Sequence, residues 1–349
     1  MTLKKIVRII FVAITSLILI TGMVLVYVLY IPFSPKKNAE SVDIIVRWGS
    51  SFGVVAAELA EKNVVRSVDQ LKFTATLYKQ TQKLRVGKFT LKKGMSNYDA
   101  LMALVKGPQS LIKFTLPNGY DSRRFAKIIE RYLEIDSVET VALISDSSFI
   151  AQLGVNATSL EGYLYPETYN FTYGLNAKNI ITALVHQHQK MVSDTLLNKI
   201  KKQGWTMKEV LTLASIIEGE AMVDTEMPII SSVYHNRLAI GMPLQADPTI
   251  QYIIQDGPRR LLRSDLNIDS PYNTYKYKGL PPGPINNPGI NAIMAAISPA
   301  QTKYLYFVAN GDGTHSFSET YSQHLRAKKR FDEYRAHVEK AKQQKADNE

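Results

Sequence analysis

Residues 9–31 run for 23 positions without a charged side chain. Coiled as a helix, this run is about 34 Å long at ~1.5 Å per residue. That is enough to cross a ~30 Å hydrocarbon core with some tilt. Tyr27 and Tyr30 stand near its end, where interfacial aromatics belong. The run is longer than the apolar region of a signal peptide, and no small-residue cleavage site follows it. The pattern therefore predicts an uncleaved transmembrane helix over residues 9–31, with residues 1–8 before it and a polar linker over 32–39. Lys4, Lys5 and Arg8 precede the span and Lys36 and Lys37 follow it, so the charge asymmetry that orients such helices is slight.

Beyond the linker, strand-like alternation and helical periodicity take turns. A short alternating stretch, a glycine turn and a helical pattern occur three times. The strands lie near residues 44–48, 88–93 and 112–116, the glycines are Gly49, Gly94 and Gly119, and the helical patterns cover 52–62, 98–105 and 123–132. Glycine in such a turn supplies a positive φ. Ser96 or Asn97 suits the cap of the second helix, and Asp121 or Ser122 that of the third. The first two copies predict a small α+β module over 40–112, and the third opens a larger α+β domain over 113–349. That domain reads as helical from 121 to 194, interrupted by the aromatic stretch 160–169. Further helices are predicted near 206–221, 228–240 and 289–297, with a Pro-, Gly- and Asn-rich loop over 265–288. A strand at 304–309, a Gly-Asp-Gly turn and a basic C-terminal helix close the chain.

The helix near 206–221 carries the candidate chemistry. Thr206 with Glu209 is a capping-box pair. From Val210 to Ile217 nothing is charged and apolar residues occupy every side, which is the pattern of a buried helix. Glu218 ends that run. A carboxylate there loses solvation and tends to hold its proton, as a general acid must. Glu220 is rotated about 200° from Glu218, so the two are not a facing pair of the kind glycosidases use. Asp247 is the best second carboxylate, although an Asp before Pro248 also suits a helix N-cap. Glu161 is a weaker candidate, and Asp256, Asp265 and Asp269 read as turn residues. Tyr163 in the first aromatic stretch, and Tyr272, Asn273 and Thr274 in the second, combine ring faces with hydroxyl and amide groups that suit sugars; packing of domain edges is the plainer account of them.

Composition removes several alternatives. The chain has 349 residues, no cysteine and a formal charge of +11. Five of the positive charges flank the apolar span, and no nucleic-acid-binding signature is present. No cysteine nucleophile, nucleophile elbow or phosphate-cradling loop is found. The histidines form no metal-ligand pattern, and His186 and His188 point to opposite sides of one helix. Neither a metal nor a cofactor is expected.

Several motifs in series resemble those of the endolytic murein transglycosylases, the YceG-like family. They are Leu213-Ala-Ser-Ile-Ile-Glu-Gly-Glu220, the stretch from Asn236 to Thr249, Tyr272-Asn-Thr-Tyr275, Gly279-Leu-Pro-Pro-Gly-Pro-Ile285 with Asn287-Pro-Gly289, and the stretch from Tyr306 to Phe317. Gly219 stands where many relatives carry a larger polar residue, and the aromatic stretch is richer in Tyr than in Trp. The resemblance implies a single-pass inner-membrane protein whose body faces the cell wall, with residues 1–8 cytoplasmic and a LysM-like module over 40–112. It implies cleavage within peptidoglycan glycan strands at the MurNAc–GlcNAc bond to leave 1,6-anhydro ends, with Glu218 as general acid and then base. Peptidoglycan synthases are candidate partners by the same analogy. Two alternatives stay open: a lysozyme-type hydrolase in which Asp247 assists water, and a non-enzymatic, membrane-tethered wall-binding protein. Mass spectrometry of the products from purified glycan separates all three. The transglycosylase reading predicts ends one water lighter than hydrolysis gives, and the binding reading predicts no new ends.

Overall fold

The computed structural model describes residues 2–34, 39–254, 257 and 259–346. Residues 35–38 of the expected linker and the expected turn residue Asp256 lie outside that set. The chain divides into two compact units, Met1–Phe114 with Tyr169–Leu175, and Thr115–Thr168 with Asn176–Glu349.

The first unit begins with α1 (Leu3–Tyr30), whose 28 residues are long and apolar enough to cross a membrane. Strand β1 (Ser41–Val46) leads into α2 (Phe52–Glu61) and α3 (Val68–Leu77), and β2 (Gly87–Lys92) leads into α4 (Asn97–Lys106). β1 and β2 pair antiparallel, from Ser41 opposite Lys92 to Val46 opposite Gly87. Their inward residues Ile44 and Phe89 join Leu59, Leu71, Leu101 and Leu104 in one core. α3 is absent from the sequence reading because its apolar stripe is blurred: Phe73 and Leu77 stay exposed beside the buried Leu71 and Ala75. Strands β3 (Leu111–Thr115) and β4 (Thr168–Thr172) form a second two-stranded sheet.

β4 corrects the expectation of a helical stretch from 121 to 194. Three short helices, α5 (Ser122–Leu133), α6 (Ser137–Ile144) and α7 (Ser147–Gln152), come first, and α8 (Ala177–Met191) follows the strand. Four of the five residues of Thr168-Tyr-Asn-Phe-Thr172 are β-branched or aromatic, which favours a strand. The three strand-to-helix turns behave as expected, with φ of +74° at Gly49, +80° at Gly94 and +73° at Gly119. Ser96 caps α4 and Asp121 caps α5, each through its side-chain oxygen.

The second unit is organised around α10 (Met207–Glu220), reached through α9 (Asp194–Lys202). The Thr206–Glu209 capping box is present in both directions. All eight residues 210–217 are buried, packed among Tyr163, Ile200, Ile230, Tyr234 and Ile293. α11 (Met227–Ala239), α12 (Asp247–Ile253) and α13 (Ile290–Ile297) follow, then the β5 (Tyr306–Ala309) and β6 (His315–Ser318) hairpin and α14 (Tyr321–Ala346). β6 completes a hairpin for which the sequence reading supplied only the first strand and the turn. Asp247 is not the expected N-cap: it is the first residue of α12, the cap is Ala246, and no side chain caps that end.

Ser215 fastens the Pro-rich loop to α10. Its hydroxyl donates to Thr212 O at 2.8 Å and accepts the Ile285 N–H at 3.0 Å, while its carbonyl accepts Asn286 Nδ2 at 2.8 Å. Substituting Ser215→Ala leaves the buried Ile285 N–H without an acceptor. The expected cost is about 1–3 kcal/mol, read as a lowered urea midpoint of the full-length protein in mild detergent.

Candidate active site

Glu218 sits on the last turn of α10, half-buried. Its Oε2 accepts the backbone N–H of Gly289 at 3.0 Å, and Gly289 is the N-cap of α13. Oε1 has no hydrogen-bond partner among the described residues. Desolvation pushes the Glu218 carboxyl above the ordinary 4.5, the Gly289 bond opposes this, and the nearby Asp224 charge adds to the rise. Position on the helix acts in the same two directions. The C-terminal end of α10 disfavours negative charge, whereas the N-terminal end of α13 favours it.

The loop that supplies Gly289 is held on both sides. Gly119 N–H donates to Asn287 O and Asn287 N–H donates to Tyr120 O, each at 3.0 Å. The Asn287 side chain accepts the N–H groups of Gly162 and Leu164 and donates to Tyr120 O and Glu161 Oε1. Two glycines make the approach possible. A Cβ on Gly289 would lie 2.4 Å from Asn118 Nδ2, and one on Gly119 would lie 3.4 Å from Glu218 Cγ at a φ few side chains adopt.

Gly119 also lines a cleft of about 320 Å³, with Asp121, Arg124, Gly219, Asp247 and Tyr252 among its walls. Glu220 and Asn286 line it too. Glu218 is not itself among these walls; it stands next to one of them, since its Cγ is the atom a Cβ on Gly119 would meet. Gly219, the family departure noted above, faces α12: a Cβ there would meet Pro248 at 2.7 Å.

Glu220 points the other way, as the helical rotation requires. It accepts the Tyr234 hydroxyl at 3.1 Å, and desolvation with the neighbouring Asp247 charge pushes its carboxyl up to about 7. Asp247 is exposed in the cleft wall and accepts the Tyr275 hydroxyl. Glu161 is buried. Both its oxygens accept the Ser122 N–H at 3.1 Å, so it holds the first turn of α5, and burial pushes it up to about 7.

The other expected contacts separate. Tyr272 is half-buried, its ring 5.0 Å from that of Tyr252. Asn273 is 0% exposed, spending its amide on Leu266 O, Ile268 O and the Tyr275 N–H. Thr274 is 1% exposed, its hydroxyl accepting the Ala246 N–H and bonding Thr249. Tyr163 is 5% exposed in the core, edge-on to His188. All three are buried: the polar atoms of Asn273 and Thr274 brace the loop, and Tyr163 packs in the core. Asp265 opens a short 3-10 helix and bonds Arg259, and Asp269 bonds Lys276 and Tyr277. The sequence reading missed Arg124 and Tyr252, which line the cleft. Arg124 follows the Asp121 cap and looked like an ordinary first-turn residue, and no spacing sets Tyr252 apart.

Glu220 gives a stability signature. Its folded-state value is raised from 4.5 to about 7, so the native protein binds that proton more tightly than the unfolded chain. The resulting stability is fully present below the unfolded value and is lost as pH rises through the folded one. Glu161 acts in the same window. The urea midpoint should fall between about pH 4.5 and 7, and Glu220→Gln should make that fall shallower.

A model of the YceG-like family matches residues 44–330. The chain is 33% identical over 312 residues to an endolytic murein transglycosylase of Bacillus subtilis, covering 85% of this chain and 86% of that one. It is 30% identical over 306 residues to an endolytic murein transglycosylase of Streptococcus pneumoniae, covering 78% of this chain and 55% of that longer protein. A crystal structure of a yceG-like protein from Listeria monocytogenes matches with a TM-score of 0.61 and 32% identity, covering 82% of this chain and 98% of that chain. The family match spans most of the second unit and the α1-distal part of the first, so the chain belongs to the YceG-like family.

Proposed function

We propose that this protein is a lytic transglycosylase that cuts within peptidoglycan glycan strands at the MurNAc–GlcNAc bond. One observation carries the assignment of the acid: Glu218, at the end of a wholly buried helix stretch, has a raised carboxyl with one oxygen held by the Gly289 N–H and the other free. The proton therefore belongs on Oε1. That oxygen donates to the glycosidic oxygen as the bond to the leaving sugar breaks. The carboxylate so formed takes the proton from the C6 hydroxyl of the same MurNAc, whose oxygen attacks C1 and closes the 1,6-anhydro ring. The nucleophile belongs to the substrate, so the scheme needs no second carboxylate. The names of the bacillar and streptococcal relatives support the reaction class.

In this reading α1 anchors the chain in the inner membrane, residues 40–112 form a LysM-like wall-binding module, and residues 113–349 carry out catalysis on the periplasmic side. Peptidoglycan synthases are the candidate neighbours at the membrane. Asp247 and Tyr272 face the glycan, while Asn273, Thr274 and Tyr163 fix the walls behind them. Asp247 favours a second reading, since an exposed carboxylate in the cleft wall suits a hydrolase that activates water.

Glu218→Gln keeps the shape and removes the titrating proton. We expect its turnover of purified glycan to fall by a hundredfold or more, on the order of what a general acid contributes, with anhydro ends lost in proportion by mass spectrometry. Near-normal turnover by this variant would remove Glu218 from the mechanism. Hydrated ends from the parent protein that vanish in Asp247→Asn would establish the hydrolase instead.

A further inference from the structure

A second cleft, of about 460 Å³, is lined by Arg237, Tyr275, Phe307, His324 and Lys328, and by Glu220 and Asp247. Its volume falls within the range of small-ligand sites. Glu220 and Asp247 line the first cleft as well, so the two clefts share a wall.

The charges in this cleft are unequal. Arg237 is almost wholly buried, and its Nε and Nη1 donate to the carbonyls of Leu305 and Leu244, which bind the guanidinium without neutralising it. Lys328, exposed on α14, has no acidic partner among the described residues. Arg237, His324 and Lys328 share this cleft, and burial first, then the Lys328 and Arg237 charges, depress the basicity of His324. Against them stand Glu220, which keeps its proton to about pH 7, and Asp247. Glu226, behind the hairpin, is committed to the His315 side chain and N–H. Lys328 and Arg237 thus stand opposite Asp247 and a Glu220 that is partly protonated near neutrality, beside the apolar ring of Phe307. Such a cleft suits an anionic group carried on a short aliphatic chain.

We propose that this second cleft is a subsite for the acidic peptide stems that branch from alternate sugars of the glycan. The inference rests on the transglycosylase reading and adds to it a substrate feature. A strand lying in the first cleft extends its branch across the Glu220–Asp247 wall. There the stem carboxylates meet Lys328, with the buried Arg237 charge behind it, and the alanine methyl groups meet Phe307. The chemistry that recognises the stem is charge-assisted hydrogen bonding at an apolar edge.

The test uses the full-length protein in detergent and two polymers, uncrosslinked glycan strands with their stems and the same strands stripped by an amidase. The parent protein should show the higher kcat/KM on the stem-bearing strands. Lys328→Glu should lower the ratio of the two kcat/KM values by about tenfold, mostly through KM, and Lys328→Arg should restore it. An unchanged ratio in Lys328→Glu overturns the subsite, and so does an equal loss on both polymers. A second arm needs no turnover. Isothermal titration of the parent with the free acidic tetrapeptide released by the amidase should show saturable binding that Lys328→Glu weakens. Binding insensitive to that substitution, or no binding at all, counts against the subsite. If the parent binds the tetrapeptide with the expected sensitivity yet cleaves neither polymer, the subsite stands and the catalytic reading fails.

Discussion

The site depends on a helix that buries itself on every side and then ends in carboxylates. Residues 210–217 have no exposed face, so packing on every side fixes the backbone that leads into Glu218. The loop at 285–289 lies across this helix end because Ser215 supplies both an acceptor and a carbonyl for it. That placement delivers the Gly289 N–H to Glu218. An apolar side chain at 215 would leave the buried Ile285 N–H unpaired and loosen the start of the loop.

Electrostatically, Glu218 is held between opposing influences. Loss of water, the carbonyl end of α10 and the charge of Asp224 favour the protonated form, while the Gly289 N–H at the start of α13 favours the charged one. A group that serves first as acid and then as base in the proposed reaction needs this compromise. A more complete burial would keep the proton on through the second step, and full exposure would lose it before the first. Glu220 has a different balance. Loss of water and the neighbouring Asp247 charge push it to about 7 against the opposing Tyr234 hydroxyl bond, and its rotation around α10 separates it from Glu218.

Much of this was legible in the chain because the signals are local. The Thr206–Glu209 cap, the unbroken apolar run before Glu218 and the three glycine turns all describe interactions among near neighbours, and each is present. The failures involve distant partners. Asn273 and Thr274 looked like sugar contacts because amide and hydroxyl groups suit sugars, yet their partners at Leu266, Ile268, Ala246 and Thr249 consume them. Asp247 looked like a cap because it precedes a proline, but Tyr275 from the long loop takes its carboxylate. Arg124 and Tyr252 reach the cleft only through tertiary folding, and no spacing rule marks them. Polar residue type therefore indicated suitability for a site, and packing decided which residues were available.

The proposed reaction does not require a second carboxylate to activate water beside Glu218, and the reason lies in how the competing reactions scale. In the proposed reaction the nucleophile, the C6 hydroxyl, is already attached to the sugar undergoing cleavage. Well-oriented intramolecular groups reach effective concentrations of about 10⁵–10⁸ M, against roughly 55 M for bulk water. Ring closure therefore prevails over hydrolysis even in a cleft open to solvent, provided the sugar is held in one pose. The demand on the protein shifts from activating water to fixing the strand. The features that border Glu218 fit that demand: a rigid proline-rich loop, glycines that permit close approach, and Tyr252 and Arg124 along the cleft. A branch gripped in the neighbouring cleft would restrict the strand further, by binding it at a second point away from the reacting bond.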